Sequence, residues 1–334
     1  MSISLKTRKM LWGRAANRCA FVDCRKELVI DATETDDASV IGEECHIVAE
    51  SPDGPRGDSP LTSEQRDKYG NLILLCSTHH KNIDDQPGHY TVENLHQLKN
   101  DHEAWVRQRL DFDPAAQRED EYYADLIQQF SEKVDIDNWQ NWSSWIMGNS
   151  YPRISVNIHG KLESLRQWLL SRVWPQRYPE IESSFQNFRH VLQDFLNVFN
   201  EHSEPHGEEM LATQKFYKIR EWDPERYERL SKMHDFHVDL VQDLMLELTR
   251  AANYVCDMTR KTFFPTFRLQ EGVLLVTSGP YMDLTYRTHR PEYRGGERVE
   301  RPYTGLTAFK EVREERDFHF GHGTEPGADA SDDD

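Results

Sequence analysis

The spacing of apolar residues in this chain changes at about residue 90. Upstream, apolar residues come in short unbroken runs: "LVIDA" from Leu28, the "SVI" and "HIV" of "ASVIGEECHIVAE", and "LILL" at 72–75. Runs of this length, rich in branched side chains and bounded by turn residues, predict short strands. The acidic "TETDD" at 33–37 reads as a turn between the first two. "SPDGPRGDSP" at 51–60 carries too much Pro and Gly for a helix. "TSEQRDKYGN" at 62–71 is polar and turns the chain back toward "LILL". Residues 7–17 read as a short helix ahead of Cys19, and a further helix is expected from Cys76. In "YTVENLHQLKNDHEAWVRQRL", Leu95, Leu98, Trp105 and Leu110 repeat at helical spacing.

Beyond a polar, proline-containing stretch the helical period dominates. "GKLESLRQWLLSRVW" and "IESSFQNFRHVLQDFLNVF" both carry apolar residues at three- and four-residue steps. Asp223-Pro224 supplies an N-cap followed by proline at the first helical position, launching a helix that reaches about Arg260. "EGVLLVTSGPYMDLTYRT" predicts a β-hairpin turning at Ser278-Gly279-Pro280. The expected fold class is α+β. Its expected parts are a head at 1–112, a linker at 113–121, a mostly helical domain with a small β element at 122–322, and a disordered acidic tail at 323–334.

Composition narrows the function classes. Hydrophobic residues make up 37% of 334, enough for packed cores. No run of eighteen apolar residues and no signal-like N-terminus occur, so the sequence predicts a soluble cytoplasmic protein with no membrane span. The net charge of −18 argues against broad non-specific binding to nucleic acid, while leaving room for a local basic surface or a metal-dependent site. Five cysteines, an odd and irregular set, favour metal binding or free thiols over disulfides.

Four of the candidate ligands come in pairs. Cys19 and Cys24 bracket four residues in "CAFVDC", and Cys76 and His79 bracket two in "CSTH". Both spacings suit a closed tetrahedral zinc shell of three thiolates and one imidazole, with no position open for chemistry. The alternative is that buried cysteines pack as small hydrophobes. A DNA-reading finger is excluded by arithmetic, because 51 residues separate Cys24 from Cys76 where a finger has about twelve. The zinc would be a staple around something folded.

The enclosed segment carries His46 and Asn71, and His80 follows. The pieces "NRCAFVDC", "GEECHIVAESPDGPRGD", "NLILLCSTHHKNID" and "YTVENLHQLKNDHE" occur in the order of an HNH endonuclease domain with an embedded zinc knuckle. Residues 8–105, roughly a third of the chain, resemble that ββα-metal family. The version with "HI" followed by "GPR" is similar to nuclease domains of bacterial anti-phage effectors. The resemblance implies that His46 is the general base, a role suited to neutral imidazole near pH 7. It also implies that Asn71 bridges the loop between the strands. His80 and Asp84 stand at i and i+4, on one helical face, where a carboxylate and an imidazole can hold Mg²⁺ or Mn²⁺. His79 and His80 point about 100° apart and so serve different sites. The implied substrate is double-stranded DNA, cut to 5′-phosphate and 3′-hydroxyl ends. One position departs from the family. Where Asp or His commonly precedes the base as another ligand, this chain has Cys45, a poor ligand for a hard cation. Glu43, Glu44 or water could take that place, or Cys45 packs inward. The departure motivates a second reading, a catalytically inactive zinc-stabilised DNA- or protein-binding module.

The expected role of 122–322 is regulatory: sensing a ligand, contacting a defence-system partner protein or driving homo-oligomerisation. Other clusters are thinner. His234 with His237, and His319 with His322, could pair as ligands. The tryptophans of "DNWQNWSSW" could stack on a base, with core or interface packing the stronger expectation.

Overall fold

The computed structural model describes residues 3–32, 39–109, 113–148, 151–299, 301–316 and 318–320. The expected turn at 33–37 and the acidic tail at 323–334 lie outside the described residues. The chain is a mixed α+β protein in two compact units, Met1–Gln129 and Phe130–Asp334.

In the first unit, α1 (Leu5–Arg14) is capped by Ser4, whose hydroxyl accepts from the Thr7 amide. Ala16 and Asn17 then adopt positive φ, which ends the helix and turns the chain to Cys19. A two-residue pair, β1 (Val29–Ile30) with β2 (Ser39–Val40), leads into β3 (Gly42–His46). The single helical turn α2 (Ser63–Arg66) is fixed by a Thr62–Gln65 capping box. The core strand is β4 (Leu72–Cys76), buried along its whole length. It pairs antiparallel with β3, from Gly42 opposite Cys76 to His46 opposite Leu72. Its apolar residues do not alternate with polar ones because both faces are covered. Gly42 is required by close packing: a Cβ there would lie 2.6 Å from the Trp12 ring and 2.9 Å from Leu28 Cβ. Next come α3 (Ser77–Asp85), which buries Ile83, and α4 (Val92–Arg109), which buries Leu95 and Val106.

The expected linker at 113–121 is helical instead. The helix α5 (Pro114–Lys133) starts there, with Asp113 Oδ1 accepting from the amides of Ala115 and Ala116 at 2.8 and 3.1 Å. Asp113-Pro114 is the same cap-then-proline signal that opens the helix at Pro224, and it outweighs the polar composition. Ion pairs Lys9–Asp120 and Arg14–Glu121 tie the first half of this helix to α1 within the first unit.

The second unit opens with α6 (Trp139–Ile146), followed by β5 (Arg153–Ser155), α7 (Val156–Leu170) and α8 (Pro179–Glu201). Strands β6 (Ser203–His206) and β7 (Met210–Thr213) form a hairpin whose second strand also pairs with β5. This three-stranded sheet was not anticipated, because strands of three or four residues are too short to establish an alternation. The apolar face of α8, with Phe185, Phe188, Leu192, Phe195 and Phe199, packs fully buried against α9 (Pro224–Thr262). The middle of α9 is buried on every side from Leu240 to Cys256. Strands β8 (Val276–Ser278) and β9 (Arg287–His289) follow, then α10 (Leu306–Arg313). The chain does leave β8 at Ser278, yet β9 begins only at Arg287. The turn forms inside the loop, where Tyr281 and Thr285 are joined by a 2.9 Å backbone bond.

Candidate metal centre and active site

The first site is assembled on β4. One edge of that strand takes β3, and the other takes the Ala20 amide, which donates to the Leu74 carbonyl at 3.0 Å. That bond carries the Cys19–Cys24 turn to the end of the strand where Cys76 caps α3. One ligand atom each from Cys19, Cys24, Cys76 and His79 falls within 4.8 Å of the other three, and His79 Nδ1 stands 3.2 Å from Cys76 Sγ and 3.4 Å from Cys19 Sγ. A tetrahedral zinc with bonds of about 2.0–2.3 Å has edges of roughly 3.5–3.8 Å, so the donor set matches the ion in both chemistry and size. Among the described residues no other group of three or more such side chains converges in this way. These four residues could hold a metal ion such as zinc.

Their surroundings favour the metal-binding form of the imidazole but not that of a thiol. Burial lowers the affinity of His79 for a proton, keeping the imidazole neutral as a ligand must be. Phe21 stacks on the same ring at 4.0 Å between centroids and fixes its plane. Burial pushes the Cys19 thiol up, so a dication is needed to compensate a thiolate there.

The second cluster lies on β3, the 51–60 loop and α3. His46, at the end of β3, is paired through Nε2 with Asp67 Oδ1 at 3.0 Å. Asn71 is buried. Its Oδ1 accepts from the Val48 amide at 2.9 Å, and its Nδ2 donates to the carbonyls of Val48 at 2.8 Å and Arg66 at 2.9 Å. It therefore clamps the chain just past His46. On α3, His80 Nε2 meets Asp84 Oδ2 at 3.2 Å, while its Nδ1 is hydrogen-bonded to Glu43. The two ring nitrogens point apart, so Glu43 and Asp84 cannot share one ion with His80 in this arrangement.

Of the two acids considered for the position left by Cys45, Glu43 thus approaches His80 from the other ring edge. Glu44 is committed elsewhere, accepting from Arg8 Nε at 3.0 Å and Trp12 Nε1 at 2.9 Å. Cys45 is fully buried, and its thiol, pushed up by burial and by nearby Glu43 and Asp84, donates to the Glu43 carbonyl.

Two residues were missed by sequence reasoning. Arg56, in the "GPRGD" loop, donates from Nε to the Ile47 carbonyl at 2.6 Å and from Nη2 to Asp84 Oδ1 at 2.9 Å. It ties the chain beside His46 to the acid on α3, and its only advance signal was a basic residue in a turn rich in Gly and Pro. Asp67 carried no signal, because its pairing with His46 depends on α2 folding back across the loop.

The remaining candidates part company. His234 and His237 lie buried with His202 around Phe216. His319 sits 3.3 Å from Asp243, and His322 falls outside the described residues. Trp139 and Trp142 are core residues, and Trp145 is half exposed. No helix among the described residues is long and apolar enough to cross a membrane. No family model and no curated protein matches the chain.

Proposed function

We propose that the first unit is the catalytic head of a metal-dependent DNA endonuclease of the HNH, ββα-metal type, stapled by a structural zinc on Cys19, Cys24, Cys76 and His79. The observation that carries this reading is the order hairpin-then-helix around one cluster: His46 on β3, Asn71 clamping the chain behind it, and His80 with Asp84 on α3. The separation of 3.2 Å between His80 Nε2 and Asp84 Oδ2 suits neighbouring ligands of a six-coordinate ion with bonds of about 2.1 Å, whose edges are about 3 Å. Mg²⁺ or Mn²⁺ bound there would neutralise charge developing on a phosphodiester and polarise its oxygens.

The chain's own groups have separable tasks. His46, donating a hydrogen bond from Nε2–H to Asp67, keeps Nδ1 as the acceptor for a proton from the attacking water. Asn71 fixes where that ring is presented. Glu43 holds His80 through the nitrogen away from the proposed cation, and Arg56 holds the Asp84 oxygen that His80 does not meet, so both ligands are oriented from behind. Double-stranded DNA is the proposed substrate. The proposed setting is anti-phage defence, with the second unit supplying ligand sensing, partner contact or oligomerisation. The buried Cys45 favours a second reading, in which the head binds DNA or protein without cutting.

Plasmid nicking separates the two. The native chain should cut with Mg²⁺ or Mn²⁺ and not in EDTA, and His46→Ala should cut about 10²–10⁴-fold more slowly at unchanged zinc content. Equal rates for native and variant protein would remove His46 from its role. A native chain that never cuts supports the inactive module.

A further inference from the structure

The second unit carries two cavities, with Tyr151 in the walls of both, that the proposed nuclease chemistry does not use. One, of about 500 Å³, is walled by Trp145, Tyr151, Arg153 and Tyr286, with Gly279 and Pro280 of the β8–β9 loop at its edge. The other, of about 340 Å³, is lined by Tyr151, His206, Gln214, Lys215 and Lys218, with Glu204 as its carboxylate. Tyr151 belongs to both. Its ring is flanked by Arg153, whose guanidinium carbon is 4.7 Å from the centroid, and by Lys215, whose ammonium is 4.3 Å from it.

The sheet explains why the two cavities adjoin. Arg153 on β5 and Glu204 on β6 both pair with Ala212 on the central strand β7, so the three lie in one row across the same face. Ala212 is small, is itself buried, and lines the second cavity. On the rim, Trp145 is 52% exposed and Tyr286 64%, flat apolar surface left in contact with water.

We infer that this pair of cavities binds one nucleotide across Tyr151, with the base against Trp145 and Tyr286 and the phosphate beside Arg153, Lys215 and Lys218. Two chemistries stand side by side. Exposed aromatic rings stack on a planar base whatever its sequence identity. Arginine and lysine groups recognise phosphate, and Arg153, Lys215 and Lys218 all line these cavities. In a chain of net charge −18 such a concentration is not the by-product of a basic surface. Both cavities have the size of small-molecule sites. The inference stands on the second unit alone, so its failure leaves the nuclease reading intact, and the reverse also holds.

The test is calorimetric titration of the full-length protein with ATP, AMP, adenosine and inorganic phosphate, without added divalent cations. ATP and AMP should bind at least about tenfold more tightly than adenosine or phosphate alone. Trp145→Ala should weaken AMP by about tenfold, the loss of one stacking platform. Lys215→Ala/Lys218→Ala should weaken ATP more than adenosine. All three positions are on the surface, and matching circular dichroism would show that the variants fold. Three outcomes overturn the inference: no heat from any probe at millimolar concentration, phosphate binding as tightly as ATP, or nucleotide affinity unchanged in every variant.

Discussion

Each unit buries polar groups at its centre, and they solve the problem by opposite means. In the first, three thiols and an imidazole converge, and an ion such as zinc would supply the charge that compensates their thiolate forms. In the second, the chain supplies both signs. Asp243 on α9 accepts from Arg313 at 2.8 Å, with both side chains almost fully buried. One turn on, Glu247 accepts from Arg316 at 2.8 Å and from the Tyr293 hydroxyl at 2.7 Å. The difference follows from how much apolar surface each fold has. The head is organised around one five-residue strand, and a core that small benefits from a metal staple. The helical unit already buries four phenylalanine and two leucine side chains along α8, so its buried charges need only be mutually satisfied.

The largest expected effect breaks the first solution alone. Cys24→Ser or Cys76→Ser should abolish the single tightly held zinc and unfold the head, because binding there is part of folding and worth on the order of 10 kcal/mol in small zinc domains. Elemental analysis with hydrogen exchange should find zinc absent and protection lost from β4 but retained in α9. Zinc-free native protein with a protected β4 would refute the staple.

Breaking the second solution should cost less and stay in the second unit. Arg313→Met takes the buried arginine from the Asp243 carboxylate, leaving it the Phe320 amide at 2.8 Å and His319 at 3.3 Å, and should destabilise by about 3 kcal/mol, whereas Asp243→Leu/Arg313→Met should recover part of that. Denaturant melts of the four proteins form the cycle, and an equally unstable double variant would show that shape rather than charge holds the contact.

A subtler contrast lies between the acid proposed to orient an ion's ligand and acids closed by arginine. Glu43→Gln should weaken Mn²⁺ binding by about 10–100-fold in electron paramagnetic resonance titrations, leaving the zinc in place. Unchanged Mn²⁺ affinity would leave Glu43 without the orienting role.

The effect read only through its pH dependence concerns Asp239, whose carboxyl is pushed up to about 8 by burial and by neighbouring Asp243. A raised carboxyl favours the fold while protonated. Its contribution is complete below the ordinary value near 4 and disappears as the pH rises through 8. Asp239→Asn should therefore raise the melting temperature by a margin that widens between about pH 5 and pH 8, at roughly 2–4 °C per kcal/mol. A margin independent of pH would remove Asp239 as its source.

Legibility in the sequence followed the range of the interactions. The strand at "LILL", the helix from Ser77 and the long helix from Pro224 depend on local pattern and caps, and all three form. The paired spacings likewise named the four residues that converge at the metal centre. The linker expected at 113–121 failed because composition was weighed above the Asp113-Pro114 cap. The sheet of β5, β6 and β7 had no local signature at all.

Spacing by itself determined that Cys19 and Cys24 share a turn, that Cys76 and His79 share another, and that His80 and Asp84 share a helical face, since turn and helix geometry fix positions only a few residues apart. Only the tertiary structure decided that the two cysteine turns meet across β4. It alone decided that Glu43 takes the far edge of His80 while Glu44 is spent on Arg8 and Trp12, and that Arg56 reaches Asp84. Those contacts depend on strand register and on loops folding back over twenty residues or more, and the register is settled by packing Leu72–Leu75 on both faces, a quantity that no short window of sequence contains.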